Sequence, residues 1–214
     1  MKYRIAITGG IGSGKSTVIN LLQNCGAKAI KLDNLSKDIL DSDLVVRENI
    51  IALLGQESFI DGKPDRDFIA KKIFGPGNPN VILNNRISIE AYIHPKIFDI
   101  VRKELENIPE GIEVIAVESP FPVKYCKFEV DKIFYVHTDK ITRLERIMNR
   151  EFMRGGGAAR LSCKEAHQRM MVQAKEDEYL AEADDIINNN GDSFDLKIQV
   201  ENIYSLYTTG MRKY

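Results

Sequence analysis

Cysteine is scarce in this sequence, and its distribution argues against two classes of protein. The three cysteines, Cys25, Cys126 and Cys163, lie far apart, and no two of them form a C-x-x-C pair. An odd number at these spacings does not provide a disulfide framework, and without close pairs it does not provide a cysteine zinc site. We therefore expect three reduced thiols.

Long apolar runs and an excess of one charge are also missing. No stretch approaches the roughly 18 apolar residues of a membrane span, and the apolar run at the N-terminus is too short for a signal peptide. The 30 basic and 31 acidic residues give a net charge of -1, which does not support a broad nucleic-acid or membrane surface. We expect a cytoplasmic protein whose partners are small molecules, with neither nucleic acid nor membrane among them; the oligomeric state stays open.

The residues that are present suit a folded α/β protein. The chain has 214 residues, of which 43% are hydrophobic and 29% charged, so it can bury a core as one domain with or without an insertion. Short apolar segments with strand character alternate with helical segments, which predicts a five-stranded parallel sheet covered by helices. The predicted strands span residues 3–8, 27–33, 112–118, 131–137 and 184–190.

Two segments interrupt this alternation. Residues 34–110 are mostly helical in character, apart from a Gly/Pro/Asn cluster at 75–79, and they predict a helical insertion between the second and third strands. Residues 150–173 include the run RGGG at 154–157, whose composition predicts a flexible stretch. The expected organisation is a single domain, 1–214, that carries both segments.

The most specific pattern is a phosphate-binding loop near the N-terminus. Residues 9–16 match G-x-x-x-x-G-K-[ST] and lie between a predicted strand and a predicted helix. The glycines permit a loop whose amide N–H groups turn toward an anion, and the N-terminus of the next helix adds partial positive charge. Lys15 can reach the β- and γ-phosphates, and the Ser16 hydroxyl can bind Mg²⁺. The residues expected to bind a nucleoside triphosphate are Gly10, Ile11, Gly12, Ser13, Gly14, Lys15, Ser16 and Thr17.

Asp33 is the first residue that points to a kinase rather than to another nucleotide-binding protein. It ends the second predicted strand, and ligands of parallel sheets bind at the carboxyl ends of the strands. There a carboxylate can accept a hydroxyl proton or orient an acceptor for attack on the γ-phosphate. The residues equally allow a second interpretation, in which Asp33 caps a helix that starts near Asn34.

Glu118 ends the third predicted strand and is a candidate metal ligand. A carboxylate at this place can hold Mg²⁺ directly or through water. Position is the only argument for this role, and an ordinary solvated glutamate at a strand end is the alternative.

A cluster of arginines could neutralise the charge of a transferred phosphoryl group. Arg143 and Arg146 recur at helical spacing near Glu145, and we interpret them as part of a solvated helix face. Arg150 stands at the end of that helix, where a lid would begin, and we expect it to act in catalysis. Arg154 and Arg160 are weaker candidates for the same role.

These residues and several later motifs resemble the dephospho-coenzyme A kinase family. Besides the phosphate loop and Asp33, four further segments resemble family motifs in the family's order, so the resemblance covers nearly the whole chain. They are DGKPDRDFIAKKIF at 61–74, IHPKI at 93–97, LSCKEAHQRMMVQ at 161–173 and AEADDIINNNG at 181–191. The resemblance implies a P-loop fold of three layers like that of nucleoside monophosphate kinases, with an acceptor-binding insertion at 34–110 and a lid at 150–173.

The resemblance also implies an activity and further site residues. This family uses ATP and Mg²⁺ to phosphorylate the ribose 3′-hydroxyl of dephospho-CoA, the last step of coenzyme A synthesis. Lys15, Asp33 and Arg150 are then the expected catalytic residues, and Thr8, Asp33, Arg66 and His94 are expected to bind substrate. Taken alone, His94 before Pro95 is more typical of a helix end with a locally packed ring.

Lys31 and Lys124 depart from the family pattern. Lys31 stands where the family's D-A-D has its first acid, and Lys124 stands roughly where the family's P-L-L-F-E has its glutamate. Positive charge at these places motivates a second hypothesis, a kinase of another small nucleotide such as a (deoxy)nucleoside monophosphate. A non-catalytic nucleotide-binding regulator is a third.

Overall fold

The fold is described from a computed structural model that covers residues 2–153, 162–171, 173 and 175–208, with the backbone alone at 150–153. Its strands are β1 (Tyr3–Thr8), β2 (Lys28–Lys31), β3 (Phe59–Ile60), β4 (Lys63–Pro64), β5 (Val114–Glu118), β6 (Lys132–His137) and β7 (Asp185–Asn188). The helices are α1 (Lys15–Asn24), α2 (Leu32–Ser42), α3 (Leu44–Leu54), α4 (Arg66–Phe74), α5 (Pro79–Glu106), α6 (Lys140–Met153), α7 (Cys163–Met171), α8 (Glu176–Leu180) and α9 (Ser193–Thr208).

Two compact units divide the chain. The first combines Met1–Lys31 with Glu104–Tyr214, and the second is Leu32–Lys103. The sequence predicted an insertion over residues 34–110 within one domain; the roles assigned to that insertion and to a lid at 150–173 stay predictions.

A five-stranded parallel sheet forms the centre of the first unit. Its strands lie in the order β2-β5-β1-β6-β7, and every neighbouring pair is parallel. This confirms the α/β fold predicted from the alternation of strands and helices. Since β1 leads directly into α1, the phosphate loop lies at the carboxyl end of a central strand, where ligands of parallel sheets bind.

The central strands are buried because their sequences are almost continuously apolar. Ile5, Ala6 and Ile7 of β1 are fully buried, as are the apolar residues of β5. Such runs are typical of parallel strands that are covered on both faces. The core cluster of this unit consists of Ile5, Ile7, Val18, Ile19, Leu22, Ala27, Val114, Ala116, Phe134, Val136, Ile187, Leu196 and Val200.

The predicted end of the second strand is wrong. Strand β2 stops at Lys31, and Asp33 lies in the first turn of α2. Leu32 and Ile39 are both buried, and with Leu35 they follow the i, i+3, i+7 spacing of a helix face, which overrides the strand-like residues before them. Because the helix begins at Leu32, Asp33 is not the N-cap residue of a helix that starts at Asn34, and that interpretation is wrong as well.

The second unit is mostly helical, as predicted, but it contains a hairpin that the sequence interpretation missed. Strands β3 and β4 pair antiparallel around Asp61 and Gly62, which have φ angles of 50° and 79°. Positive φ at both turn residues is characteristic of the type I′ turn, for which Asp-Gly is among the preferred sequences. The signal was therefore present in the run at 61–74, which was interpreted only as a family motif.

The cysteines are all free, as expected. Burial raises the pKa of the Cys126 thiol to about 12, so this residue remains protonated and packs as a small apolar side chain. Among the helices that the structure describes, none combines the length and the apolar character that crossing a bilayer requires.

Candidate active site

The phosphate loop connects β1 to α1 and adopts a backbone that only glycine accommodates easily. Gly12 and Gly14 have φ angles of 79° and 96°, in the left-handed region. A Cβ atom on Gly14 would also lie 2.1 Å from Nδ2 of Asn189. The loop is therefore held in shape by close packing against the residues after β7, in addition to its own sequence.

Lys15 is buried at the start of α1, and its ammonium group lies inside the loop. Its Nζ donates hydrogen bonds to the carbonyl oxygens of Gly9, at 2.7 Å, and Gly10, at 3.1 Å. This places a positive charge against the loop backbone, next to the amide groups of the first turn of α1. The arrangement suits an anion that approaches the helix N-terminus.

Ser16 and Glu118 meet although they are distant in the sequence. The Ser16 hydroxyl donates to Oε1 of Glu118 at 2.6 Å, and the carboxylate is almost completely buried. Glu118 is the last residue of β5, and the register between β1 and β5 aligns it with Ile7, two residues before the loop. A hydroxyl and a carboxylate oxygen therefore stand together at the carboxyl edge of the sheet, and their predicted role as metal ligands stays a prediction.

Within the described part of the chain, no three histidine, cysteine or acidic side chains form a cluster that could hold a metal ion by themselves. A metal that bound next to Ser16 and Glu118 would need further ligands from water or from a bound phosphate. This pattern is typical of Mg²⁺, which keeps several water ligands and is shared between protein carboxylates and substrate phosphates.

Arg143 and Arg146 are not part of a solvated helix face, so that interpretation is wrong. Arg143 Nε donates to the carbonyl oxygen of Ile11 at 2.9 Å, and Arg146 Nη2 donates to that of Asn189 at 3.2 Å. Both side chains are half-buried. The guanidinium groups therefore turn toward the phosphate loop and its neighbours, because α6 packs so that this face lies over the loop.

Two polar residues from neighbouring strands also hold the loop, and the sequence interpretation assigned them no role. Thr138 follows β6 and its hydroxyl donates to the carbonyl oxygen of Ser13 at 2.9 Å. Asn189 follows β7 and its Nδ2 donates to the same oxygen at 2.7 Å. Asn189 lies in the run at 181–191 that was quoted only as a motif. Its place near the carboxyl end of a predicted parallel strand, 184–190, was the signal that could have indicated this contact.

Thr8 is fully buried at the end of β1. Its hydroxyl donates to the carbonyl oxygen of Phe121 at 3.2 Å, in the segment that follows β5. This contact connects the residue before the phosphate loop to the residues after Glu118. The expected contact of Thr8 with substrate stays a prediction.

The three other expected substrate residues lie in the second unit. Asp33 is exposed in the first turn of α2. Arg66 begins α4, and its Nη2 lies 2.7 Å from both carboxylate oxygens of Asp41. Asp65 caps the same helix by accepting from the Phe68 amide, which fixes where Arg66 stands in the first turn.

His94 does not end a helix, because Pro95 lies inside the 28-residue helix α5. Its ring centroid lies 5.6 Å from that of Phe98, and burial lowers the pKa of the imidazole below its ordinary value. His94 is therefore mostly neutral at pH 7 and can offer a hydrogen bond rather than a fixed charge. Its proposed contact with an acceptor stays a prediction.

The predicted lid is only partly described. Arg150 belongs to α6, but its side chain lies outside the described atoms, as do Arg154, Arg160 and the run at 154–157. The described part includes α7 and Gln173, whose Oε1 accepts a hydrogen bond from the Ile11 amide at 2.6 Å. The catalytic role expected of Arg150 therefore stays a prediction.

Comparison with known proteins identifies the family of this chain. A family model for dephospho-CoA kinase matches residues 3–195. Curated relatives named dephospho-CoA kinase include one from Moorella thermoacetica, 32% identical over 89% of this chain and 85% of the relative. Another, from Arabidopsis thaliana, is 31% identical over 93% of this chain and 81% of the relative.

Solved structures show the same fold. A Thermus thermophilus protein, TT1252, aligns with a TM-score of 0.73 and 26% identity, covering 97% of this chain and 98% of that one. A dephospho-CoA kinase from Campylobacter jejuni aligns with a TM-score of 0.63 and 25% identity, covering 98% and 99% of the two chains. Because the family model spans most of a chain whose phosphate loop is fully assembled, the protein belongs to the dephospho-CoA kinase family.

Proposed function

We propose that this protein transfers the γ-phosphoryl group of ATP to the ribose 3′-hydroxyl of dephospho-CoA, forming CoA and ADP. The observation that carries the proposal is the family match over residues 3–195, on a chain in which Lys15, Ser16 and Glu118 converge at one phosphate loop. The match covers the segments before and after the loop as well, so it concerns a whole kinase rather than a nucleotide-binding motif.

Residues of the loop bind the triphosphate, and residues outside it act on the groups that react. The amide groups of the first turn of α1 and the Lys15 ammonium bind the β- and γ-phosphates, and Thr17 contacts them from the same turn. Asp33 accepts the proton of the attacking hydroxyl or orients it, and Arg150 neutralises charge on the transferred group. The exposure of Asp33 supports this role, because a carboxylate that meets a substrate cannot be buried beneath other side chains.

Ser16 and Glu118 are the residues of this chain that fit a magnesium ion. Their oxygens lie 2.6 Å apart, at the edge where the phosphates would bind. Oxygen ligands from one hydroxyl and one carboxylate, completed by water and phosphate oxygens, are typical of Mg²⁺. When bound there, the ion would neutralise charge on the phosphates.

Replacing the Glu118 carboxylate with an amide tests this metal site. We expect Glu118→Gln to raise the Mg²⁺ concentration needed for half-maximal activity by about ten- to hundredfold, because the amide lacks the negative charge that attracts the ion. A matched control is Glu113→Gln, an exposed glutamate just before the opposite end of β5. An identical Mg²⁺ dependence in the two variants would exclude Glu118 from the metal site.

The acceptor is tested directly in a coupled assay of ADP release. We expect turnover that depends on dephospho-CoA, with little ADP formed when the acceptor is omitted. A folded protein that releases no ADP with dephospho-CoA would rule out the proposed function. A protein that binds ATP but transfers phosphoryl to no acceptor would instead be a nucleotide-binding regulator.

The position of Lys31 motivates a test of a second class of acceptor, the (deoxy)nucleoside monophosphates. The register between β2 and β5 places it directly beside Glu118, and its Nζ donates to Oδ1 of Asn20 at 2.7 Å. A positive charge at this edge suits an acceptor with an additional anionic group, such as a (deoxy)nucleoside monophosphate. Lys124 adds less, because its Nζ lies 3.9 Å from the Glu178 carboxylate and 5.1 Å from the Tyr125 ring centroid. The same ADP-release assay with a panel of nucleotides decides between the acceptors.

The cytoplasmic location expected from the sequence stays a prediction.

A further inference from the structure

The peptide groups at the tip of the phosphate loop are held by two side chains from elsewhere in the chain. The amide N–H of Ile11 donates to Oε1 of Gln173 at 2.6 Å. The carbonyl oxygen of Ile11 accepts from Nε of Arg143 at 2.9 Å. Arg143 lies on α6, whereas Gln173 follows α7, so the two contacts come from different segments.

The Ser13 part of the loop is also held by other groups. The Ser13 amide donates to the Gly10 carbonyl at 3.1 Å, and the Ser13 carbonyl accepts from Thr138 and Asn189. Ile11, in contrast, stands between Gly10 and Gly12, whose backbones have more conformational freedom than those of other residues. Its orientation therefore depends on the two bonds to its own backbone atoms.

Helix α6 lies directly against this part of the loop. A Cβ atom on Gly10 would come within 2.1 Å of Nη2 of Arg143, and one on Gly12 would come within 2.7 Å of the Arg143 carbonyl oxygen. The Arg143 residue thus contacts the loop through both its guanidinium group and its backbone. Two glycines leave the space that this contact requires.

The chemistry of Gln173 suits a loop that must receive an anion. A carboxamide oxygen can accept the Ile11 N–H bond without carrying a negative charge. A carboxylate at the same position would add negative charge beside the loop and would repel an approaching phosphate, because charges interact more strongly in a partly buried site than in water. The neutral acceptor fixes the backbone and leaves the positive potential of the loop intact.

We propose that Gln173 and Arg143 are positioning residues that clamp the Ile11 peptide groups and so hold the loop in the conformation that binds phosphate. The two bonds fix the tip of the loop, and the amides that follow are then aimed at the β- and γ-phosphates. The inference rests on the proposed function only in taking these phosphates to be those of ATP, of which ADP retains the β-phosphate.

Removing the acceptor atom of Gln173 tests the clamp by ADP binding, which needs no acceptor substrate. We expect Gln173→Met, of similar size, to weaken ADP binding in calorimetry by about three- to tenfold, the effect of losing one hydrogen bond. The matched control is Gln168→Met on α7, where the side chain is exposed, and it should bind ADP like the unchanged protein. Equal affinity in both variants would overturn the proposal, and so would tighter binding by Gln173→Met, which would mean that Gln173 competes with phosphate.

A double-mutant cycle with Arg143→Met separates a shared clamp from two independent supports. Since both side chains act on the peptide groups of one residue, the double variant should lose less affinity than the product of the two single losses. A loss equal to that product would refute a shared clamp. If Arg143→Met does not fold, hydrogen exchange decides: the Ile11 amide should be protected in the unchanged protein and should exchange faster in Gln173→Met, whereas equal rates would overturn the proposal.

These measurements distinguish the clamp from the proposed function. ADP affinity reports on the loop whether or not dephospho-CoA is the acceptor. Failure of turnover with dephospho-CoA, with the affinity change intact, would remove the acceptor assignment and leave the clamp. If the unchanged protein turns over dephospho-CoA normally but Gln173→Met binds ADP with unchanged affinity, the clamp is overturned and the acceptor assignment stands.

Discussion

Lys15→Met should lower kcat/KM for ATP by about 10²- to 10³-fold, in line with the loss of a preorganised charge at a reacting phosphate. The ammonium group is the only part of the side chain that binds phosphate, and methionine has nearly the same length without the charge. Binding and rate should fall together, because the charge contacts the phosphates both before and during transfer. Steady-state kinetics and ADP calorimetry measure the two effects separately.

The control for this experiment must separate phosphate binding from loop stability. Lys15 donates to the carbonyl oxygens of Gly9 and Gly10, so its removal also takes two hydrogen bonds from the loop. Thermal unfolding of Lys15→Met shows whether the fold survives, and Lys140→Met, at the exposed first residue of α6, controls for the loss of a lysine. Normal kinetics in a folded Lys15→Met protein would refute the phosphate role.

Asp33→Ala should lower kcat by about 10²- to 10⁴-fold, the usual contribution of a positioned general base, while the affinity for ATP stays nearly unchanged. We expect kcat to fall without a loss of ATP affinity because Asp33 would act on the acceptor hydroxyl rather than on the bound triphosphate. Removing an acid from the first turn of α2 should change the free energy of unfolding by only about 0.3–1 kcal/mol. Kinetics with saturating ATP measure the change in kcat, and a separate binding measurement gives the affinity for ATP.

Asp38→Ala is the matched control, because Asp38 is an exposed acid on the same helix. It should retain nearly full kcat. A surface acid would change kcat little when replaced. If kcat of Asp33→Ala falls by less than about tenfold, then Asp33 stabilises α2 through its charge near the helix N-terminus and is not the base. That result would move the search for the base to other residues without changing the assignment of the phosphate loop.

Asp33 and the arginines show where sequence interpretation succeeds and where it stops. Asp33 was selected because it was predicted to end a strand at the carboxyl edge of the sheet, whereas the structure places it in the first turn of α2. The helical spacing of Leu32 and Ile39 would have placed it correctly, because that pattern is local. Arg143 could not be assigned in the same way, since a solvated face and a face packed on a loop have the same spacing of arginines.

The sequence by itself determined the parallel sheet, the phosphate loop and the residues Lys15 and Ser16, because each follows from a short pattern of neighbouring residues. Only the tertiary structure decided that Ser16 meets Glu118, which is 102 residues away, and that Asn189 and Gln173 hold the loop from 176 and 162 residues away. These contacts depend on which strands become neighbours and on how α6 and α7 pack, and neither leaves a periodic signal in the chain. The chemistry of the loop is therefore local, whereas the atoms that hold it in place come from distant parts of the chain.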